Sequence, residues 1–92
     1  MISLEVVYEG YPDLCLHTIV FEGYTVKHAL IKALDTVPLY LHPEEAEDMT
    51  TSEILNAIDD QNGDGCAFIY SIKDLNTDET YLKSEYYSHT RY

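Results

Sequence analysis

Residues 57–70 read AIDDQNGDGCAFIY, and the fold turns on what this stretch is. Asp60, Asn62, Asp64 and Gly65 spell D-x-N-x-D-G, the opening half of a calcium loop, which would put a helix on each side. Such a loop takes ligands from its first, third and fifth positions and a bidentate Glu from its twelfth. Counted from Asp60, the twelfth position is Ser71, whose single hydroxyl cannot supply two oxygens. The residues after Gly65, CAFIYS, are rich in the aromatic and branched side chains of a strand. Asn62-Gly63 and Asp64-Gly65 suit positive φ and local side-chain hydrogen bonds. The stretch therefore reads as a turn from helix to strand. No metal and no cofactor is expected, and a weak calcium-binding module is kept as a third functional reading.

Working outward, CAFIYSIK and TYLKSEYY flank the polar DLNTDE and read as a hairpin. Upstream, Thr50 and Glu53 form a T-x-x-E capping box ahead of Ile54, Leu55 and Ile58, the apolar side of a helix ending near Asp60. Pro43 suits the first position of a shorter helix, and the acids after it favour that helix's positive end. At the start of the chain, Ile2, Leu4, Val6 and Tyr8 alternate with Ser3, Glu5 and Val7 as in a strand. EGYPD is a turn, and LCLHTIVFE is a second strand that Gly23 ends. Thr25 is placed to cap VKHALIKAL, whose Val26, Ala29, Leu30, Ala33 and Leu34 share one face.

The expected fold is α+β: a single domain over residues 1–92, with a four-stranded sheet of two β-hairpins and two to three helices on one face, in the order β-β-α-α-β-β. The strand, turn, strand and EGYTVKHAL of the N-terminal part resemble the first half of the β-grasp, or ubiquitin-like, fold over about 35 residues. That resemblance implies a protein-binding adaptor. The C-terminal SHTRY lacks the Gly-Gly through which ubiquitin-like carriers conjugate. In the first hairpin, Ile2, Leu4, Val6, Leu14, Leu16 and Val20 are assigned to one face, with Val7, Cys15, Ile19 and Phe21 on the other. Helices on one side cannot cover both, so surplus apolar surface and a homodimer are expected.

Charge is the unusual quantity. Seventeen Asp and Glu stand against five Lys and Arg among 92 residues, a net charge of −12. Between Lys32 and Lys73 there is no basic residue, while nine acids fall in that window. Four of them, Glu44, Glu45, Glu47 and Asp48, lie within five positions. A field of this sign repels nucleic acid and anionic membrane and attracts basic surfaces, so no direct nucleic-acid or membrane binding is expected. The bland reading is a solvated face that aids solubility. With 46% apolar residues and nine tyrosines the chain is nevertheless a folded one.

Other candidate chemistry is thin. Cys15 and His17 are spaced to share a strand face, but no second closely spaced pair completes a metal site, and they read as core. The two cysteines, Cys15 and Cys66, make no disulfide framework. There is no phosphate-cradling loop, no G-x-S-x-G and no H-E-x-x-H, so no enzyme is expected. MISLEVVYEG has neither the positive nor the apolar region of a signal peptide, and with so few cysteines a reduced, cytoplasmic setting is expected.

A small, acidic, tyrosine-rich chain without an active site resembles the anti-CRISPR and anti-restriction inhibitors that phages encode. The likeness is in size, charge and composition over the whole chain. It implies a DNA-mimic-like protein in a host cell's cytoplasm, seated on a basic nucleic-acid-binding surface of a host defence complex. The residues assigned to that contact are Glu44, Glu45, Glu47, Asp48, Glu53, Asp59, Asp60 and Asp64. Tyr40, Tyr81, Tyr86 and Tyr87 are added as anchors, since Tyr and Arg dominate protein interfaces.

Overall fold

The alternation at the start of the chain becomes strand β1 (Ile2–Gly10). Leu4, Val6 and Tyr8 are buried, while Ser3, Glu5, Val7 and Glu9 are half-buried on the opposite face, as an extended backbone requires. The computed structural model describes residues 1–10, 15–37, 41–61 and 67–83. β2 (Cys15–Gly23) pairs antiparallel with β1, β3 (Ala67–Asp74) pairs with the other side of β1, and β4 (Thr80–Lys83) pairs with β3. The sheet order is β2-β1-β3-β4, antiparallel throughout.

The register corrects one expectation. Leu4 stands opposite Phe21, Val6 opposite Ile19 and Tyr8 opposite His17. Paired residues share a face, so Ile19 and Phe21 lie with the core residues of β1, while Leu16 and Val20 lie on the other face. The assignment of β2 made from its sequence is inverted; Leu14 lies outside the described residues. Both parities of LCLHTIVF are apolar, and period alone leaves the phase open. Glu22 decides it, because its carboxylate shares a parity with Leu16 and Val20 and cannot go beneath the helices without a partner. The open face is consequently mixed, with Val7, Leu16 and Val20 among Glu5, Glu9 and Glu22.

α1 (Val26–Thr36), α2 (Pro43–Ala46) and α3 (Thr51–Gln61) cover the other face. Ala29, Leu30, Ala33 and Leu34 of α1, Ala46 of α2, and Ile54 and Ile58 of α3 form one core with Leu4, Val6, Phe21, Ile69, Ile72 and Leu82. The order is β-β-α-α-α-β-β, the extra helix being the single turn of α2. Thr25 caps α1 by accepting from the His28 amide at 3.1 Å. Gly23 sits where β2 passes under that cap: a Cβ there would lie 2.7 Å from the Ala29 nitrogen.

β3 carries a bulge. Ser71 faces Val7 and Ile69 faces Tyr8, which leaves Tyr70 as the extra residue. Its side chain is 1% exposed yet stands outside the main core. The ring lies 5.0 Å from that of Phe68, and its hydroxyl donates to Glu9 Oε1 at 3.2 Å. In the β3–β4 loop, buried Asp74 accepts from the Asn76 and Thr77 amides at 2.8 and 3.3 Å. Asp78 takes the left-handed conformation, φ 66°, that closes the loop.

Candidate functional site

The acidic segment is built from short pieces of local logic. Pro43 opens α2, Glu44 and Glu45 follow in its first turn, and Ala46 is the residue it buries. Glu47 and Asp48 come after, so four exposed carboxylates surround a single apolar contact. α3 starts with the capping box in full: the Glu53 amide donates to Thr50 Oγ1 at 3.1 Å, and the Thr50 amide donates to Glu53 Oε1 at 2.8 Å. Ile54 and Ile58 face the core, which turns Glu53, Asp59 and Asp60 to solvent. At about 1.5 Å of rise per residue, Glu53 and Asp60 are two turns and about 10 Å apart on one side of the helix. Gln61 ends α3 by accepting the Leu41 amide at 3.0 Å, which ties the start of the acidic segment to its end.

Glu44, Glu45, Glu47, Asp48, Glu53, Asp59 and Asp60 are all exposed. Glu53 has a structural use as well, since one of its oxygens holds the capping box. Among the described residues, none of these carboxylates takes part in an ion pair; the pair that is present, Lys73 with Asp78 at 2.8 Å, lies in the β3–β4 hairpin. That hydrogen bond holds Asp78 below the usual carboxylate range and Lys73 above the usual ammonium value.

The forty positions free of basic residues are not isolated from base in space. Lys27 of α1 donates from Nζ to the Glu47 carbonyl at 2.7 Å, at the end of α2. Lys32 and Glu47 also line one open pocket of about 420 Å³ with Met1, Tyr24, His28 and Ile31. Tyr24, 80% exposed, is the aromatic the sequence reading passed over; its position in a turn between a strand and a helix cap was the available signal. Tyr81 is half-buried against the core, and burial, then a hydrogen bond to Glu79, raises its hydroxyl pKa. It is partly a packing residue. Asp64, Tyr40, Tyr86 and Tyr87 lie outside the described residues.

The remaining candidates resolve locally. Asp60 belongs to the last turn of α3 and Ser71 is paired within β3, while Asn62, Asp64 and Gly65 lie outside the described residues. His17 is half-buried and stacks on Tyr8 with ring centroids 5.2 Å apart, whereas Cys15 is exposed at the start of β2 and is not the core residue expected from the sequence. Among the described residues no three His, Cys, Asp or Glu side chains converge on a point, and no helix is long and apolar enough to cross a membrane. Comparison with protein-family models, with curated proteins and with solved structures finds no match.

Proposed function

We propose that the acidic segment from Glu44 to Asp60 is a binding surface for a basic protein, and that the chain is an inhibitor of the anti-CRISPR or anti-restriction kind. In this reading it occupies the nucleic-acid-binding surface of a host defence complex as a DNA mimic does. The observation that carries it is the state of the carboxylates: six, at Glu44, Glu45, Glu47, Asp48, Asp59 and Asp60, are exposed and have no ion-pair partner among the described residues. Surface charge spent on stability is usually paired or interleaved with the opposite sign. Here it is left available to Arg and Lys of a partner, where charge-assisted and bidentate hydrogen bonds are the strong ones. The same field accelerates encounter with a basic target.

The test is capture from host lysate at low salt, followed by challenge of the retained protein with duplex DNA and with about 0.5 M salt. Displacement by both is expected. Charge reversal of Glu44, Glu45 and Asp48 to Lys abolishes capture, whereas reversal of Asp35, Asp78 and Glu79 does not. Asp74 is left out of that control because it is buried in the β3–β4 loop. A partner that duplex DNA fails to displace, or equal capture by both triple variants, overturns the reading. The adaptor alternative is favoured by one observation, the exposure of Thr18, Val20 and Glu22 on β2, the outer strand of the sheet among the described residues, and it requires binding that salt does not weaken.

A further inference from the structure

The cavity between the end of β2 and the end of α2 has no part in the acidic-surface reading. It is open and about 420 Å³ in volume, within the range of small-molecule sites, roughly 300–1,000 Å³. α1 supplies one wall: His28, Ile31 and Lys32 stand three and four residues apart and so share a face. Met1, just before β1, and Tyr24, in the turn into α1, add apolar surface, and Glu47 completes the lining. Lys27 braces this arrangement, since its Nζ donates to the Glu47 carbonyl at 2.7 Å and ties the end of α2 to α1. That bond uses the backbone of Glu47, not its carboxylate.

Two opposite charges line the cavity without meeting. Lys32 and Glu47 are both exposed, and neither takes part in an ion pair among the described residues. Lys73, by contrast, closes on Asp78 at 2.8 Å. An occupant that completes both groups carries a carboxylate for Lys32 and an ammonium for Glu47. The net charge of −12 points the same way. Its field repels a simple anion, and a simple cation leaves Lys32 without a partner, whereas a zwitterion satisfies both at no net charge. The apolar lining is a methionine, an isoleucine and a tyrosine that is 80% exposed. A thioether and a phenol ring both favour an aromatic neighbour. We infer that the cavity binds a zwitterionic α-amino acid with an aromatic side chain, its carboxylate on Lys32, its ammonium on Glu47 and its ring among Met1, Tyr24 and Ile31. The inference does not rest on the acidic-surface reading, whose capture test leaves both Lys32 and Glu47 in place.

The experiment is an amide NMR titration of the full chain at neutral pH with L-phenylalanine, phenethylamine and hydrocinnamate. The first carries both charges, the second keeps only the ring and the ammonium, and the third only the ring and the carboxylate. Phenylalanine is expected to shift the amides of Tyr24, His28, Ile31, Lys32 and Glu47, saturating below about 10 mM. Each single-charge analogue binds roughly tenfold more weakly or worse. The general field alone would rank the cation first, so weak binding of phenethylamine reports Lys32. Lys32→Gln removes the preference for phenylalanine over phenethylamine, and Glu47→Gln removes the preference over hydrocinnamate. Both residues are exposed, and the Lys27 bond to the Glu47 carbonyl does not involve the side chain that the second variant changes. An absence of saturable shifts at these amides, either analogue binding as tightly as phenylalanine, or variants that keep the wild-type ranking overturns the inference.

Discussion

Gly23 and Asp74 have constraints that neighbouring sequence does not display. A methyl group at Gly23 would meet the Ala29 backbone nitrogen at 2.7 Å, and backbone gives way less readily than a side chain. Gly23→Ala is expected to lower stability by about 1–3 kcal/mol, seen as a lower urea midpoint at unchanged slope; an unchanged midpoint would mean that α1 can slide. The sequence marks Gly23 as a strand end, but the reason it must be Gly belongs to the approach of α1 and is legible only once the helix is placed. Asp74 is the same kind of case. Its carboxylate satisfies two amides of the loop, so Asp74→Ala is expected to cost about 1–3 kcal/mol, while Asp74→Asn, which keeps an acceptor oxygen, costs much less. Equal losses in thermal melts of the two variants would show that the acceptor is not what matters.

Among the elements, what could be read from sequence was what is decided within one turn or one strand. The Thr25 cap, the Thr50–Glu53 box and the apolar faces of α1 and α3 depend on residues three or four apart, and all are present. The exposure of the acids followed from the same helical spacing. The phase of β2 was harder to read, because both of its faces are apolar and only the carboxylate of Glu22, near the strand's end, tells them apart. The approach of Lys27 to Glu47 was not legible at all, because packing of α1 beside α2 creates it. The box also separates two roles for Glu53. Glu53→Gln retains the acceptor and is expected to leave the melting temperature nearly unchanged, whereas Thr50→Ala costs about 1 kcal/mol. If Glu53→Gln melts as early as Thr50→Ala, the carboxylate charge and not the hydrogen bond holds the start of α3.

For the molecule as a whole, −12 on 92 residues is a standing repulsion that the folded state concentrates and the unfolded state dilutes. Raising salt from low to about 0.5 M is therefore expected to raise the melting temperature, since screening relieves the compact state more. A melting temperature that falls with salt would mean that local attractions outweigh the net field. The sheet order has a different consequence, in time. β1 is completed on one side by β2, its neighbour in sequence, and on the other by β3, which lies more than fifty residues further along. During synthesis the first hairpin emerges early and then waits, one flank of β1 unsatisfied, while the three helices and β3 are still being made. Closing so long a loop is slow and comes late. Pulse-labelled exchange during refolding checks the order: β1 amides that face β2 should be protected before those that face β3, and simultaneous protection would refute it. Until β3 docks, it is the inner strand of the finished sheet, not an outer one, that stands open to wrong partners.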